Sequence, residues 1–100
     1  MIKGTTPKHT FTIPLETSEL ASIRIIYAQD DTQLFVKEMS DCVLEGKTIS
    51  VTLTQAETLK FDDTKLAQIQ LRVKTKSGEV LSSDVLVVYV GKCLDTEVMV

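Results

Sequence analysis

The sequence predicts an all-β sandwich of about seven strands with one short helical crossover, and three stretches carry that prediction. Ala67, Ile69, Leu71 and Val73 alternate with Gln68, Gln70, Arg72 and Lys74, the period of two that a sheet with one buried face imposes. Ile49, Val51 and Leu53 alternate in the same way with Thr48, Ser50, Thr52 and Thr54, and this run is rich in the β-branched residues that suit a pleated surface. Beyond a polar turn centred on Ser77 and Gly78, Val85 to Val90 is apolar at every position, as in a strand covered on both faces.

The remaining elements follow in chain order. Thr10 to Ile13 reads as a first strand with Phe11 and Ile13 on one face. Pro14 stops it, and because proline lacks the ladder donor this strand belongs at an edge. Leu15 to Leu20 is a polar connection. Ser22 to Gln29, with Ile23, Ile25 and Tyr27 inward and Arg24 outward, pairs across an Asp30-Asp31 turn with a returning arm from Gln33 to Met39. Ser40 and Asp41 break that hairpin. Val43 and Leu44 form a short strand before Glu45, Gly46 and Lys47, where glycine supplies the positive φ of a tight turn. Thr54, Gln55, Ala56 and Glu57 have the T-x-x-E form of a capping box, which predicts one or two helical turns through Leu59. Asp62 and Asp63 end the segment. A helical corner placed before the last hairpin is the arrangement of an immunoglobulin-like sandwich. The tail from Gly91 carries Leu94, Val98, Met99 and Val100, either paired along an edge or frayed.

Composition narrows the function classes. The 100 residues make one domain, 1–100, with 43% apolar and 25% charged side chains, which argues against disorder. The net charge of -3 gives no footprint for nucleic acid, which needs clustered Lys and Arg in excess. No stretch approaches the roughly 20 apolar residues of a membrane span, and Met1 to Thr10 is polar, unlike a signal core. A cytoplasm is therefore the expected starting compartment. Cys42 and Cys93 are the only cysteines. In that compartment they are expected as reduced thiols; a disulfide is the alternative, and it needs their Cα atoms about 5 to 6 Å apart.

The residues point to no catalytic, metal or cofactor site. His9 is the single histidine, set in a polar segment beside Pro7 and Lys8, so any Ser-His-Asp or Cys-His mechanism would have to run through it. The pairs Asp30-Asp31 and Asp62-Asp63 lack the spacing of a calcium loop and are expected to shape turns. Four scattered glycines make no phosphate loop. With no Trp and five aromatics, neither a glycosidase cleft nor a sugar-stacking surface is indicated.

One feature points toward a partner. If Val85, Val87 and Tyr89 face the core, then Leu86, Val88 and Val90 face away, with Ile26 and Phe35 on the equivalent outer face of the early hairpin. These five, Leu86, Val88, Val90, Ile26 and Phe35, are the candidate protein interface, since exposed apolar patches mark interaction surfaces. The alternative is a central strand covered by loops or by the tail.

The opening Gly4-Thr5-Thr6-Pro7 and His9 to Pro14, then Tyr27-Ala28-Gln29, Leu44 to Thr48, Leu53-Thr54-Gln55, Glu57-Thr58-Leu59, Phe61 and Ile69 to Arg72 resemble a group of short proteins encoded in prophages of Gram-positive bacteria. The resemblance covers nearly the whole chain. The strand order also resembles, more weakly, the N-terminal immunoglobulin-like domain of phage baseplate upper proteins, which continue into long helical regions where this chain ends at Val100. The resemblance implies a non-catalytic structural or assembly protein of a phage particle, at the tail or baseplate, partnered by phage structural proteins or by itself. It would reside in the host cytoplasm and then in the virion. A prophage-encoded module that binds a host protein is the first rival. A small hydrolase using His9 or an aspartate pair is the second.

Overall fold

The computed structural model describes residues Met1–Val100. Its strands are β1 (Lys8–Thr12), β2 (Leu20–Gln29), β3 (Thr32–Glu38), β4 (Cys42–Glu45), β5 (Thr48–Thr52), β6 (Ala67–Thr75), β7 (Val80–Ser82) and β8 (Leu86–Val88), with one short helix, α1 (Gln55–Thr58), between β5 and β6. They form two antiparallel sheets. The small one has the order β1-β5-β4; the large one has the order β3-β2-β6-β7, and β8 also pairs with β6. The protein is thus mostly β, with one small helix and two sheets. No helix is long and apolar enough to cross a membrane.

Local chemistry explains the turns. Asp30 and Asp31 have φ of 49° and 60° and form the two-residue loop between Gln29 and Thr32, the doubly left-handed turn that short polar side chains tolerate best. Gly46, at φ +56°, begins the equally short loop between Glu45 and Thr48. In α1 the Glu57 N–H donates to Thr54 Oγ1 at 3.1 Å, and the Thr54 N–H donates to Glu57 Oε1 at 2.8 Å. Both bonds of the expected capping box are present. Asp62 turns the chain as an Asx residue, its Oδ1 accepting from the Thr64 N–H at 2.8 Å.

The core is a single apolar cluster shared by the sheets. Ile49, Val51 and Leu53 from the small-sheet side meet Ile23, Ile25 and Tyr27 of β2 and Ala67, Ile69, Leu71 and Val73 of β6, all buried. Every one of these was expected to face inward, because a period of two leaves no other choice for an apolar face. Buried polar atoms are all satisfied. Thr58, with no exposure, donates to the Thr5 carbonyl at 2.8 Å and ties α1 to the N-terminal segment. Cys42 and Cys93 are unbridged.

The ends of the chain meet. Ile2 bridges Gly91 in parallel, the Lys3 N–H donates to the Gly91 carbonyl, and the Gly91 N–H to the Met1 carbonyl. A Cβ on Gly91 would lie 2.9 Å from Ile2 Cγ1, so glycine permits this approach. Further on, the Gln55 amide clasps the Met99 backbone through two hydrogen bonds, of 3.1 and 2.8 Å.

Candidate functional site

The stretch from Val85 to Val90 departs from its expected form. Only Leu86–Val88 is strand, and it lies along an edge of the large sheet, on the same side of β6 as β7. Between the two, Ser83 interrupts the ladder. Its N–H donates to the Leu71 carbonyl, its Oγ accepts from the Leu71 N–H at 3.0 Å, and its carbonyl accepts from Gln70 Nε2 at 3.0 Å. The pairs Val73 with Leu81 and Ile69 with Leu86 differ in register by one residue, so an extra residue is inserted and every later side chain changes face. Leu86 and Val88 therefore point inward beside Ile69 and Ala67, and Val87 points outward beside Gln68. This reverses the expected outward placing of Leu86 and Val88. Val90 is also corrected: it is buried in the core at 7% exposure.

Phe35 moves for the same reason. Ala28 pairs with Gln33, but Tyr27 pairs with Phe35, so Leu34 is an extra residue and the strand changes parity there. Phe35 therefore lies on the core face, its ring stacked on Tyr27 at 4.8 Å and edge-on to Phe61 at 5.6 Å. Ile26 keeps its outer position, half-buried, and lines a shallow depression with Ala28, Gln70 and Val85. Of the five candidate interface residues, then, Val90 belongs to the core, Phe35 and Val88 are partly buried against it, and Leu86 and Ile26 stay accessible.

The apolar surface that remains follows the β7–β8 edge. Val80, Val85, Leu86, Val87 and Tyr89 are all exposed, Leu86 at 46% and Tyr89 at 83%. Leu86 points inward yet stays half bare because the small sheet ends at β1 and does not reach across to it. Where β1 and β7 face each other, a groove of about 520 Å³ opens, lined by Phe11, Ile13, Leu15, Leu71, Val73 and Leu81, with hydroxyls from Thr10, Thr12, Ser82 and Ser83. No charged residue lines it.

The chemistry-bearing side chains cluster elsewhere, between the sheets. His9 sits on the inner side of β1, half-buried, and its Nδ1 lies 2.7 Å from the hydroxyl of fully buried Tyr27. The two rings stack at 5.7 Å. Burial, then the nearby N-terminal amine, lowers the His9 pKa from its ordinary 6.5, favouring neutral imidazole. Burial, with Cys42 and Glu57 nearby, pushes the Tyr27 phenol up. The Cys42 thiol is pushed up by burial and by Asp41, against a smaller opposing effect of Lys37. Lys37 Nζ meets both Glu57 oxygens, at 2.9 and 3.0 Å. Burial alone would raise Glu57, but the Lys37 ammonium and the Thr54 N–H and hydroxyl together hold its carboxyl below the usual range. The His9–Tyr27 contact joins β1 to β2 across the two sheets, and the Lys37–Glu57 pair joins β3 to α1. No group of three or more His, Cys, Asp or Glu is placed to hold a metal ion.

Reading the sequence alone missed this cluster. The Lys37–Glu57 pair had no local signal, since the parity change at Leu34 is what turns Lys37 inward. His9 did carry one: it alternates with Phe11, and extending the first strand by two residues would have put both on one face. Comparison with known proteins returned no matching family model, no matching curated protein and no matching solved structure.

Proposed function

We propose that this chain is a non-catalytic association module, a structural or assembly protein of a bacteriophage particle at its tail or baseplate. The observation that carries the association reading is the uncovered apolar edge from Val85 to Tyr89, on a strand with no charged residue of its own. Such an edge invites a further strand or a partner surface unless something covers it. The place in a phage particle rests on the prophage resemblance of the sequence. The strand order supports an immunoglobulin-like reading of the fold. β1-β5-β4 corresponds to strands B, E and D, β3-β2-β6 to C′, C and F, the interrupted β7–β8 edge to G, and α1 to the E–F crossover. Strand A has no counterpart of full length.

Sedimentation of the full chain over a range of concentrations tests the association. A dimer or larger species is expected, shifted toward monomer by Leu86→Lys while circular dichroism stays β-rich. A monomer at millimolar concentration would overturn the reading. Mass spectrometry of purified induced virions tests the particle: stoichiometric copy number supports it, and absence from the virion returns the chain to a host-binding role.

A further inference from the structure

In a sandwich of this type the first strand lies beside strand B and closes the seam. Here the corresponding edge of β1 is free. Met1–Lys3 covers only the far end of that seam, beside Gly91. The rest is the apolar groove between β1 and β7, whose floor, Leu71 and Val73, belongs to the core. The groove has the character of a vacated strand position: long, uncharged and bounded by strand edges.

The same chain carries a segment suited to it. Leu94, Val98, Met99 and Val100 are exposed, Leu94 at 90% and Met99 at 73%, and in an extended segment Leu94, Val98 and Val100 fall on one face while Asp95, Glu97 and Met99 fall on the other. No strand partner holds this segment. It rests against its own chain through the two Gln55 bonds to Met99, both exposed, at the α1 end of the sandwich, whereas the groove runs along the other half of β1, from Thr10 to Leu15.

We propose that the β1–β7 groove receives the C-terminal segment Leu94–Val100 of a second copy, which adds as a strand to the free edge of β1 and places its apolar side chains over Leu71, Val73 and Leu81. Strand addition of this kind draws affinity from main-chain hydrogen bonds and specificity from alternate side chains. The proposal rests on the association reading and names its partner. Reciprocal exchange gives a closed dimer and sequential donation an open chain.

The test mixes isotope-labelled and unlabelled full-length chains and records isotope-filtered nuclear Overhauser effects. Contacts between the Val98 and Val100 methyls of one copy and the Phe11 ring and Leu81 methyls of another are expected. Val98→Asp, at a site outside the core, should weaken association at least tenfold with the β-rich spectrum unchanged. An oligomer that Leu86→Lys dissociates but that lacks these contacts overturns the strand donation and leaves the association reading standing. The same contacts found only within one copy also overturn it. A monomer at every concentration overturns both.

Discussion

Along β3 the large sheet ends in side chains that find partners within the fold: Phe35 stacks on Tyr27 of the neighbouring β2 and meets Phe61 edge-on, and Lys37 reaches Glu57 on α1. Along β7 and β8 the same sheet turns Leu81, Leu86 and Val88 inward, and Leu86 stays 46% exposed. The exposed margin is the more apolar one, since β3 carries Thr32, Gln33, Lys37 and Glu38 while β7 and β8 carry Ser82 alone as a polar residue, so composition does not explain the difference in cover. Width does. The small sheet spans three strands and the large one four positions, so cover is complete on the side where β4 and α1 stand and runs out beyond β1. Apolar burial stabilises by about 25 cal/mol per Å² removed from water, and residues on the covered side collect most of it. Those on the open side collect less.

The strongest way to break this comparison is to place a charge on each side. Ile25→Asp sets a carboxylate at a position with no exposure and should cost several kcal/mol, comparable with the whole stability of a small domain. Leu86→Asp should cost under about 1 kcal/mol. Chemical denaturation of both variants decides it; equal midpoints would mean that the Leu86 margin is covered as fully as the core.

A smaller effect sharpens what closes the covered side. Glu57→Ala leaves the Lys37 ammonium, at 11% side-chain exposure, without its partner and removes half of the capping box. Losing one member of a buried pair costs about 3–5 kcal/mol, and the position of this pair near the surface reduces that to roughly 2 kcal/mol. Lys37→Met with Glu57→Gln should recover most of it. If the single variant melts like the parent, the ion pair contributes nothing to the margin.

The smallest effect is a pH dependence. His9 has its folded pKa below the ordinary 6.5 through burial, so the unfolded chain binds more protons as pH falls past that value. The stability contributed by neutral His9 is therefore complete above about pH 6.5 and is lost as pH falls through the lowered folded pKa. Nuclear magnetic resonance titration should place the imidazole midpoint below 6.5, and His9→Gln should flatten the melting curve in that window. A midpoint at or above 6.5 would show that the imidazole is solvated and the Tyr27 contact weak.

Neighbouring residues alone account for the elements whose pattern is local: the inward stripes Ile23-Ile25-Tyr27, Ile49-Val51-Leu53 and Ala67-Ile69-Leu71-Val73, the Asp30-Asp31 turn, and the Thr54–Glu57 capping box. Each depends on residues a few positions apart, so each is legible without knowing what lies opposite. The tertiary structure alone decided the faces of Phe35, Lys37, Leu86 and Val88. All four lie just beyond a single inserted residue, at Leu34 or between Ser83 and Leu86, and with a period of two one insertion exchanges the inside of a strand for its outside. Nothing in the composition of β3 or β8 marks the insertion, because it exists only as a register against β2 or β6. The open margin is also a tertiary fact, set by the difference in width between two sheets whose strands come from distant parts of the chain.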